Sequence, residues 1–438
     1  MKVLFVNTND TSGGAARAAV RIMQGVEQQG VQTQLFVKDK YSSNNNTISL
    51  RLFVPSNKLY RALDWVAAKV KNQWQHLLWR PYRNTKENVF MSDMRSTRLH
   101  GVLQKLDYDI LHLHWINQRF MDLRELKKVN KPIVWTLHDS WPFCGVCHYF
   151  LDCTYYQSHC GDCPMLHSNK EKDLAYRVFE KKKRAYKGLN LHIVTPSRWL
   201  GECVKRSALL GQFPITVIPN CLDTDVYRPL TEQEINDHLE VAIKQNPALC
   251  EVKYMVGDKV ANPIILYGAM NAATDRIKGF ASLLSALQIL DNQGFKANLV
   301  VFGASESELR MEFEHISVSF IGYIVDTGTL VTLYNMADVM VVPSLTEVFG
   351  QTASEALACG TPVVCFKTTG IQEVVDHMIN GYQAIFEDCV DLATGIRWCL
   401  ANNHNRALSN AAREKVMMGY TIDNISDKYT KLYQTIIK

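Results

Sequence analysis

Two pairs of charged side chains in the second half of the sequence have the types and spacing of a site for an anionic substrate. Arg276 and Lys278 follow one predicted strand, and Glu347 and Glu355 follow another, eight positions apart. Fixed cations stabilise negative charge that develops on a leaving group, and arginine can do so with two parallel hydrogen bonds. Either pair alone is commonly a helix cap or a surface feature. Both pairs together, in this order, indicate a functional site.

Backbone amides form the second part of this predicted site. Gly350, Gln351 and Thr352 open a predicted helix, at whose N-terminus the amide groups and the helix dipole favour an anion. Gly13 and Gly14 follow the first strand, where two glycines let backbone N–H groups approach a ligand; a plain turn is the alternative. No P-loop and no G-x-G-x-x-G follows that strand, which argues against kinases, ATPases and dinucleotide-binding enzymes.

The residues around Glu347 and Glu355 resemble the retaining GT-B glycosyltransferases of family 4. The likeness implies transfer of a sugar from a nucleotide-diphosphate sugar by front-face displacement, in which the departing diphosphate oxygen takes the acceptor proton. Neither a protein base nor a cofactor is then required for catalysis. The matching motifs are E-x-F-G-x-T-x-x-E-A at 347–356, C-G-T-P-V-V at 359–364, W-T-L-H-D at 135–139, T-P-S at 195–197 and V-I-P-N at 217–220.

The resemblance also implies roles for individual residues. Glu347 is expected to bind hydroxyls of the donor sugar and Glu355 those of the ribose, while Arg276 and Lys278 face the diphosphate. His138 is expected beside the donor sugar, and it completes the catalytic set of His138, Glu347, Arg276 and Lys278. The donor-binding residues are predicted to be Gly13, Gly14, Ser197, Asn220, Gly268, Phe349, Gly350, Gln351, Thr352 and Glu355.

Polar residues of the first half are predicted to serve the acceptor. Asp139 follows His138 directly, and it either orients His138 or contacts the acceptor. His112 and His114 alternate along a predicted strand and therefore share a face. Each is structural or lies on the acceptor side, and we assign Asp139 and His114 to the acceptor side.

Four cysteines, Cys147, Cys153, Cys160 and Cys163, lie within 17 residues, and Cys160 and Cys163 form a C-x-x-C knuckle. Four thiolates can hold tetrahedral zinc and order a loop that lacks regular structure. We predict a structural zinc ion here, with free thiols packing the loop, or disulfides, as the alternatives. The triplet Asp223-Thr224-Asp225 is similar to the Asp-x-Asp metal motif of other glycosyltransferases. We expect no metal there, because Arg276 and Lys278 already supply the positive charge.

Composition restricts the class and the compartment. The 438 residues are 47% hydrophobic and 21% charged, which excludes a disordered chain, and the net charge of +5 is too small to indicate nucleic acid. Because no export signal or spanning segment is recognisable, we expect a cytoplasmic protein with reduced thiols. Residues 58–83 carry six Lys or Arg and one Asp on an amphipathic pattern with tryptophans. This segment is either a core-packed helix with a solvated basic face or a peripheral contact with the inner membrane face.

Short β-branched runs alternate with helical patterns through most of the sequence. This alternation predicts an α/β protein with two Rossmann-like, doubly wound parallel-sheet domains, and the resemblance implies the GT-B arrangement with a cleft between them. We expect an acceptor-binding domain at 1–195, a nucleotide-sugar-binding domain at 196–418 and a terminal helix at 419–438 that packs on the first domain.

The predicted partners are a nucleotide sugar, with UDP favoured over GDP, and a glycan or lipid-linked acceptor in polysaccharide biosynthesis. Nucleic acid is not expected. Two other functions remain: a catalytically silent scaffold that binds nucleotide sugars, and a GT-B enzyme of another kind, either a sugar-nucleotide epimerase or a phosphorylase. The epimerase needs acid/base carboxylates and the phosphorylase needs a cofactor lysine, and neither arrangement is recognisable. A silent site has no physical need of Glu347, Glu355, Arg276, Lys278 and His138 together.

Overall fold

The chain consists of two compact units, each built on a parallel β-sheet. The first comprises Met1–Ile218 with Ser426–Lys438, and the second comprises Pro219–Ile425. These parallel sheets confirm the predicted α/β class. The computed structural model describes residues 1–53, 66, 69–70, 73, 77, 80–82, 97, 99–257, 262–269, 275–304, 312–324 and 326–437.

In the first unit, the described residues form a seven-stranded sheet in the order β3-β2-β1-β4-β5-β6-β7, with every neighbouring pair parallel. Valine, isoleucine and leucine fill the central strands and are buried, as in sheets covered on both faces. The strands are β1 Lys2–Asn9, β2 Gln32–Asp39, β3 Thr47–Ser49, β4 Ile110–Leu113, β5 Ile133–Thr136, β6 Leu191–Thr195 and β7 Ile215–Val217.

The helices of the first unit begin at residues suited to helix N-termini. Gly13, with φ 86°, precedes the first helix, and the side chains of Asp173 and Ser197 accept backbone N–H groups at the starts of the third and fourth helices. Alanines and larger aliphatics line the buried face of the first helix. The helices are α1 Gly14–Gln28, α2 His100–Leu103, α3 Leu174–Tyr186 and α4 Arg198–Arg206.

The boundary between the units differs from the expected position near residue 195. Helix α4 and strand β7 belong to the first unit, because β7 pairs with β6 through Ile193, Val194 and Thr195. The first unit therefore extends to Ile218. At the other end, the last helix runs from Ile422 to Ile437, and the second unit ends within it at Ile425.

The second unit contains a six-stranded sheet in the order β10-β9-β8-β11-β12-β13, again parallel throughout its described residues. Successive residues of β8, such as Ile264 and Ile265, point to opposite faces and belong to two different buried clusters, so both faces of the sheet are covered. The strands are β8 Ile264–Gly268, β9 Ala297–Phe302, β10 Ile316–Phe320, β11 Val339–Val342, β12 Val363–Phe366 and β13 Gly381–Ala384.

Helices cover the two faces of the second sheet, and two of them were not expected from the sequence. These are α5 Glu232–Gln245, which a Thr231–Glu234 capping box opens, and α6 Leu249–Gly257. The remaining helices are α7 Phe280–Asp291, α8 Thr327–Met336, α9 Gln351–Ala358, α10 Cys389–Asn402, α11 Ala407–Gly419 and α12 Ile422–Ile437.

Candidate active site

An ion pair lies at the carboxyl edge of the second sheet. Lys278 Nζ donates to Glu347 Oε1 at 2.7 Å, and the Ser344 hydroxyl donates to the same oxygen at 3.3 Å. The side chains of Lys278 and Glu347 are 18% and 17% exposed, so the pair lies near the surface without being fully solvated. The structure thus brings together a lysine and a glutamate that stand 69 positions apart in the sequence.

The turn that carries Lys278 is fixed against the end of β11. Gly279 adopts φ 71°, and a Cβ atom there would lie 1.8 Å from the carbonyl oxygen of Pro343. Only glycine accommodates both the left-handed backbone and this contact. The amide of Leu345 donates to the carbonyl of Ile277 at 2.9 Å, which ties the two loops together. The position of Lys278 relative to the loop of Glu347 is therefore set by the backbone.

The backbone of Glu347 is held from the opposite side by the loop after β12. The Glu347 amide donates to Thr369 Oγ1 at 3.0 Å, and the Gly370 amide donates to the Glu347 carbonyl at 2.8 Å. A Cβ on Gly370 would lie 2.2 Å from the carbonyl oxygen of Val348, so these loops pack backbone against backbone. Two neighbouring loops thus fix the direction of the Glu347 side chain.

Helix α9 begins directly after this ion-pair loop. Its N-cap is Gly350 at φ 92°, which has no side chain to cap the helix, and a Cβ there would lie 2.9 Å from Ile371 Cγ1. Gln351 and Thr352 form the first turn and are partly exposed. Because first-turn amides point away from the helix and carry the positive end of its dipole, this terminus is suited to an anion.

Other predicted donor-site residues of the second unit lie deeper. Glu355 is 2% exposed, and the buried Tyr334 hydroxyl donates to its Oε2 at 3.1 Å. Burial, and next the negative charge of Glu355, raise the pKa of Tyr334 well above its ordinary value, so the hydroxyl remains a donor. Phe349 packs on Tyr420 with ring centroids 5.3 Å apart. A Cβ on Gly268 would lie 2.3 Å from the Phe302 ring.

The remaining predicted residues divide between the units. Arg276 is exposed beside Lys278 in the second unit. Asn220, in the same unit, is buried, and its Oδ1 has no hydrogen-bond partner in the part of the chain that the structure describes. Ser197 and Gly13 belong to the first unit, where Ser197 Oγ accepts the Leu200 amide at 3.2 Å and Gly13 precedes α1. The roles assigned to these residues stay predictions.

Three histidines form a group at the carboxyl ends of β4 and β5, where His112 and His114 are buried and His138 is partly exposed. His114 Nδ1 and His138 Nε2 are 2.9 Å apart, and the rings of His112 and His114 have centroids 4.3 Å apart. Burial lowers the pKa of His138 to about 4 although Asp139 opposes this, and burial lowers the pKa of His112 and His114 well below their ordinary value. All three imidazoles are therefore neutral at pH 7, and His114 and His138 share one hydrogen.

Two tyrosines of the last helix form hydrogen bonds with this group and with Thr136. The Tyr433 hydroxyl is 2.7 Å from His112 Nδ1, and His112 Nε2 is 2.8 Å from Thr136 Oγ1. Tyr429 completes the network with its hydroxyl 3.0 Å from Thr136 Oγ1. Because each side chain in this set is buried, the hydrogen bonds fix His112 beneath His114.

Asp139 makes its contacts with residues other than His138. Its carboxylate accepts from Trp115 Nε1 at 2.8 Å, from His148 Nδ1 at 2.6 Å and from the Trp141 amide at 3.0 Å. Burial alone would raise its pKa, but the charge of His148 and these hydrogen bonds lower it below the ordinary value. Of these partners, His148 was not predicted as a site residue. Its only sequence signal was its place directly after Cys147.

Comparisons with known proteins find the same fold. Solved structures of the same fold include a sucrose-phosphate synthase from Thermosynechococcus elongatus, at TM-score 0.63 and 18% identity, covering 99% of this chain and 98% of that one. The Anabaena protein Alr3699/HepE, solved with UDP-glucose, matches at TM-score 0.62 and 16% identity over 99% of this chain and 100% of that one.

Two family models match successive parts of the sequence. The model of glycosyltransferase family 4 matches residues 12–226, and that of glycosyl transferases group 1 matches residues 264–415. Together these matches support a GT-B glycosyltransferase. A protein named as a colanic acid biosynthesis glycosyl transferase, WcaC of Escherichia coli, is 23% identical over 89% of this chain and 88% of its own length. The uncharacterised glycosyltransferase MJ1607 of Methanocaldococcus jannaschii is 32% identical over 36% of this chain, and the match spans 42% of that relative.

The cysteine segment of this glycosyltransferase lines one apolar cavity. Cys144, Cys147, Cys153, Cys160 and Cys163 contribute to its wall, and all are free thiols. Within the described residues, no group of three or more His, Cys, Asp or Glu forms a set that could hold a metal ion. The thiols are therefore gathered but do not present a coordinating geometry. Structural zinc stays a prediction, and packed free thiols account for the arrangement as it stands.

Two further features of the glycosyltransferase concern metal and membrane. Asp223 Oδ1 accepts the amides of Asp225 and Val226, so the Asp-x-Asp triplet closes its own turn. Across the described helices, none has both the length and the apolar composition needed to cross a bilayer. Most of the predicted membrane segment, residues 58–83, lies outside the described residues.

Proposed function

We propose that the chain is a retaining glycosyltransferase that moves a sugar from a nucleotide-diphosphate sugar to a glycan or lipid-linked acceptor. The observation that carries this proposal is the Lys278–Glu347 ion pair beside the glycine-started helix α9. The cation and the first-turn amides suit the diphosphate, and the carboxylate suits sugar hydroxyls. The buried carboxylate of Glu355 is proposed to bind the ribose.

Retention is part of this proposal, and the groups of the site support it. Lys278 and the α9 amides would stabilise the charge on the departing diphosphate, and an oxygen of that diphosphate would take the acceptor proton as the glycosidic bond breaks. His138 is neutral at pH 7, so it would donate to or accept from a sugar hydroxyl without adding charge. No protein nucleophile is required in this scheme.

UDP is the proposed nucleotide, and the acceptor is proposed to belong to an envelope polysaccharide pathway. The structural neighbour from Anabaena was solved with UDP-glucose. A Campylobacter jejuni relative, 28% identical over 40% of this chain, is named as a transferase acting on a diphospho-undecaprenol lipid. WcaC is named for colanic acid biosynthesis. These relatives support a nucleotide sugar as the donor and a lipid-linked or glycan acceptor.

Peripheral membrane contact is proposed for the basic segment. Of its described residues, Val66, Val70 and Leu77 are 49%, 46% and 56% exposed, and Lys69 is exposed beside them. Exposed aliphatics at helical spacing next to basic side chains suit an anionic bilayer. We expect co-sedimentation with vesicles containing phosphatidylglycerol, and loss of it in Lys69→Glu combined with Lys71→Glu. Unchanged co-sedimentation of that variant would contradict the proposal.

A nucleotide-sugar screen tests the catalytic proposal. Thermal shifts of the full chain with UDP, GDP and their sugars identify the donor, and release of the diphosphate with a glycoside acceptor measures turnover. The product anomer, read by NMR, decides between retention and inversion. A donor-induced shift without diphosphate release would support the silent scaffold, and an epimerised donor without transfer would support the epimerase.

A further inference from the structure

The first unit contains a carboxylate–imidazole pair that the proposed transfer chemistry does not use. Asp139 Oδ2 and His148 Nδ1 are 2.6 Å apart, with side chains 10% and 12% exposed. Trp115 Nε1 and the Trp141 amide donate to the same carboxylate, and neither of these groups can accept. The carboxylate is therefore surrounded by donors, which keeps it ionised and fixes its orientation.

This environment decides which nitrogen of His148 carries the hydrogen. Since the ionised Asp139 only accepts, Nδ1 of His148 must be the protonated nitrogen. Nε2 is then the ring nitrogen that is left for a ligand. Among the described residues, none forms a hydrogen bond with His148 Nε2. The pair thus presents a hydrogen-bonding nitrogen in a fixed direction, from a side chain that is partly exposed.

The loop between Asp139 and His148 is held together by hydrogen bonds to its own backbone. The Ser140 amide and hydroxyl both donate to the His148 carbonyl, at 2.9 and 2.6 Å. Lys182, fully buried, donates to the carbonyls of Trp141, Cys144 and Gly145. A charged side chain is rarely buried unless such contacts compensate it, so the loop is held in one conformation. A preorganised loop of this kind positions His148 without further rearrangement.

The pair lies where ligands bind in parallel α/β sheets. Asp139 follows β5 and Trp115 follows β4, so both stand at carboxyl ends of neighbouring strands. The Trp115 amide donates to Asn7 Oδ1 at 2.8 Å, which adds the end of β1 to the same edge. Because a sugar hydroxyl can both donate and accept, it can pair with a ring nitrogen that is held in this fixed direction. The geometry of the pair therefore suits a sugar hydroxyl.

We propose that Asp139 and His148 form a hydroxyl-binding subsite for the acceptor sugar, in which His148 Nε2 forms a hydrogen bond with an acceptor hydroxyl. Asp139 is the positioning residue, because it sets the tautomer and direction of His148. The inference rests on the proposed transferase function and adds a specificity-determining residue to it. His148 is not a base in this scheme, because the leaving diphosphate takes the proton of the attacking hydroxyl.

Steady-state kinetics of the full chain test the subsite. UDP-glucose serves as the donor probe and a panel of p-nitrophenyl hexosides as acceptor probes, with UDP release and product formation as readouts. In His148→Ala, the KM for the glycoside should rise about three- to tenfold, as expected for one neutral hydrogen bond. The kcat, UDP release without glycoside and the UDP-induced thermal shift should stay within about twofold of the unmodified chain.

Two further variants separate positioning from folding. His148→Gln keeps a hydrogen-bonding end group and should recover part of the glycoside affinity. In Asp139→Asn, the charged acceptor that orients the His148 ring is lost, so the glycoside KM should rise as in His148→Ala. His159→Ala, at an exposed histidine of the same unit, is the matched control and should change nothing.

The outcomes distinguish this inference from the function on which it rests. An unchanged glycoside KM in His148→Ala overturns the subsite, as does a loss of the UDP-induced shift in that variant. The subsite is also contradicted if the unmodified chain binds UDP but no glycoside of the panel changes UDP release or forms a product. If the unmodified chain shows neither a UDP-induced shift nor UDP release from any nucleotide sugar, the proposed function itself fails, and the subsite with it.

Discussion

Lys278 is the side chain whose removal tests the proposed donor site most directly. It contributes one charge-assisted hydrogen bond of 2.7 Å to Glu347 and is the cation of the described ion pair next to α9. In Lys278→Ala, the diphosphate loses this charge, and Glu347 keeps an uncompensated carboxylate beside the site. A charged contact to a leaving group is worth about 3–4 kcal/mol, so kcat should fall about 10²- to 10³-fold.

The paired carboxylate gives this prediction a second, independent measurement. Isothermal titration should show weaker UDP binding in Lys278→Ala, by about 1.5–3 kcal/mol for a hydrogen bond to a charged group. Adding Glu347→Gln removes the uncompensated negative charge, so the double variant should bind UDP more tightly than Lys278→Ala alone. Nonadditivity of this kind is expected for two residues in contact.

An exposed ion pair of the same unit provides the control. Lys253 and Glu240 are 3.3 Å apart with side chains 42% and 66% exposed, and Lys253→Ala should leave both kcat and UDP affinity unchanged. Wild-type UDP affinity in Lys278→Ala would refute the assignment of the diphosphate to this lysine. Equal affinities of the single and double variants would refute the repulsion by Glu347.

Three other predictions follow from buried groups of the first unit. Because the pKa of His138 is depressed to about 4, its contribution to stability is present above pH 6.5 and is lost as the pH falls towards 4. The free energy of unfolding in urea should therefore fall between pH 7 and pH 5 by about 2 kcal/mol more in the unmodified chain than in His138→Asn. An equal pH dependence in the two proteins would show that His138 is not held neutral. Lys182→Met leaves three carbonyls without their donor and should lower the free energy of unfolding, measured by urea denaturation, by about 3 kcal/mol or more. A change below about 1 kcal/mol would contradict the conclusion that Lys182 stabilises the loop. If the cysteine segment holds zinc, elemental analysis should find one ion per chain that is lost in Cys160→Ser with Cys163→Ser, whereas metal-free protein of full stability would eliminate it.

Strands and helices were predictable where one strong local pattern decided them. The runs at 264–266 and 339–342 contain only Ile, Leu, Val and Met, and the helix at 327–336 was expected at those bounds. Strand β13, with the sequence G-Y-Q-A, has no such run and is fixed by its pairing with Val363–Phe366. The boundary near residue 195 was misplaced for the same reason, because β7 has only three residues and is recognised by its partner β6.

The candidate site shows a similar division between local and long-range information. Glu347, Glu355, Arg276 and Lys278 were assigned to the site because the spacing of the pairs is itself a signal, and their roles stay predictions. The contact between Lys278 and Glu347 could not be predicted, since it depends on Gly279 packing against Pro343 across 64 positions. His148 was missed because its partner Asp139 is joined to it by an irregular loop, which a lysine 34 residues further along the chain holds closed. Such contacts have no periodicity that a sequence could display.

In the proposed reaction, the two units would recognise different parts of the substrates by different electrostatics. In the second unit the polar groups at the sheet edge are a cation, its carboxylate partner and the amides of α9, which suit a diphosphate whose charge grows as the bond breaks. In the first unit burial keeps His112, His114 and His138 neutral, and Asp139 is saturated by donors. Neutral imidazoles distinguish hydroxyl positions through the direction of their hydrogen bonds. Unlike a second cationic site, they do not compete with Lys278 for the diphosphate. A positive side chain introduced beside His138 should therefore draw the nucleotide to the wrong unit and weaken transfer more than it weakens nucleotide binding.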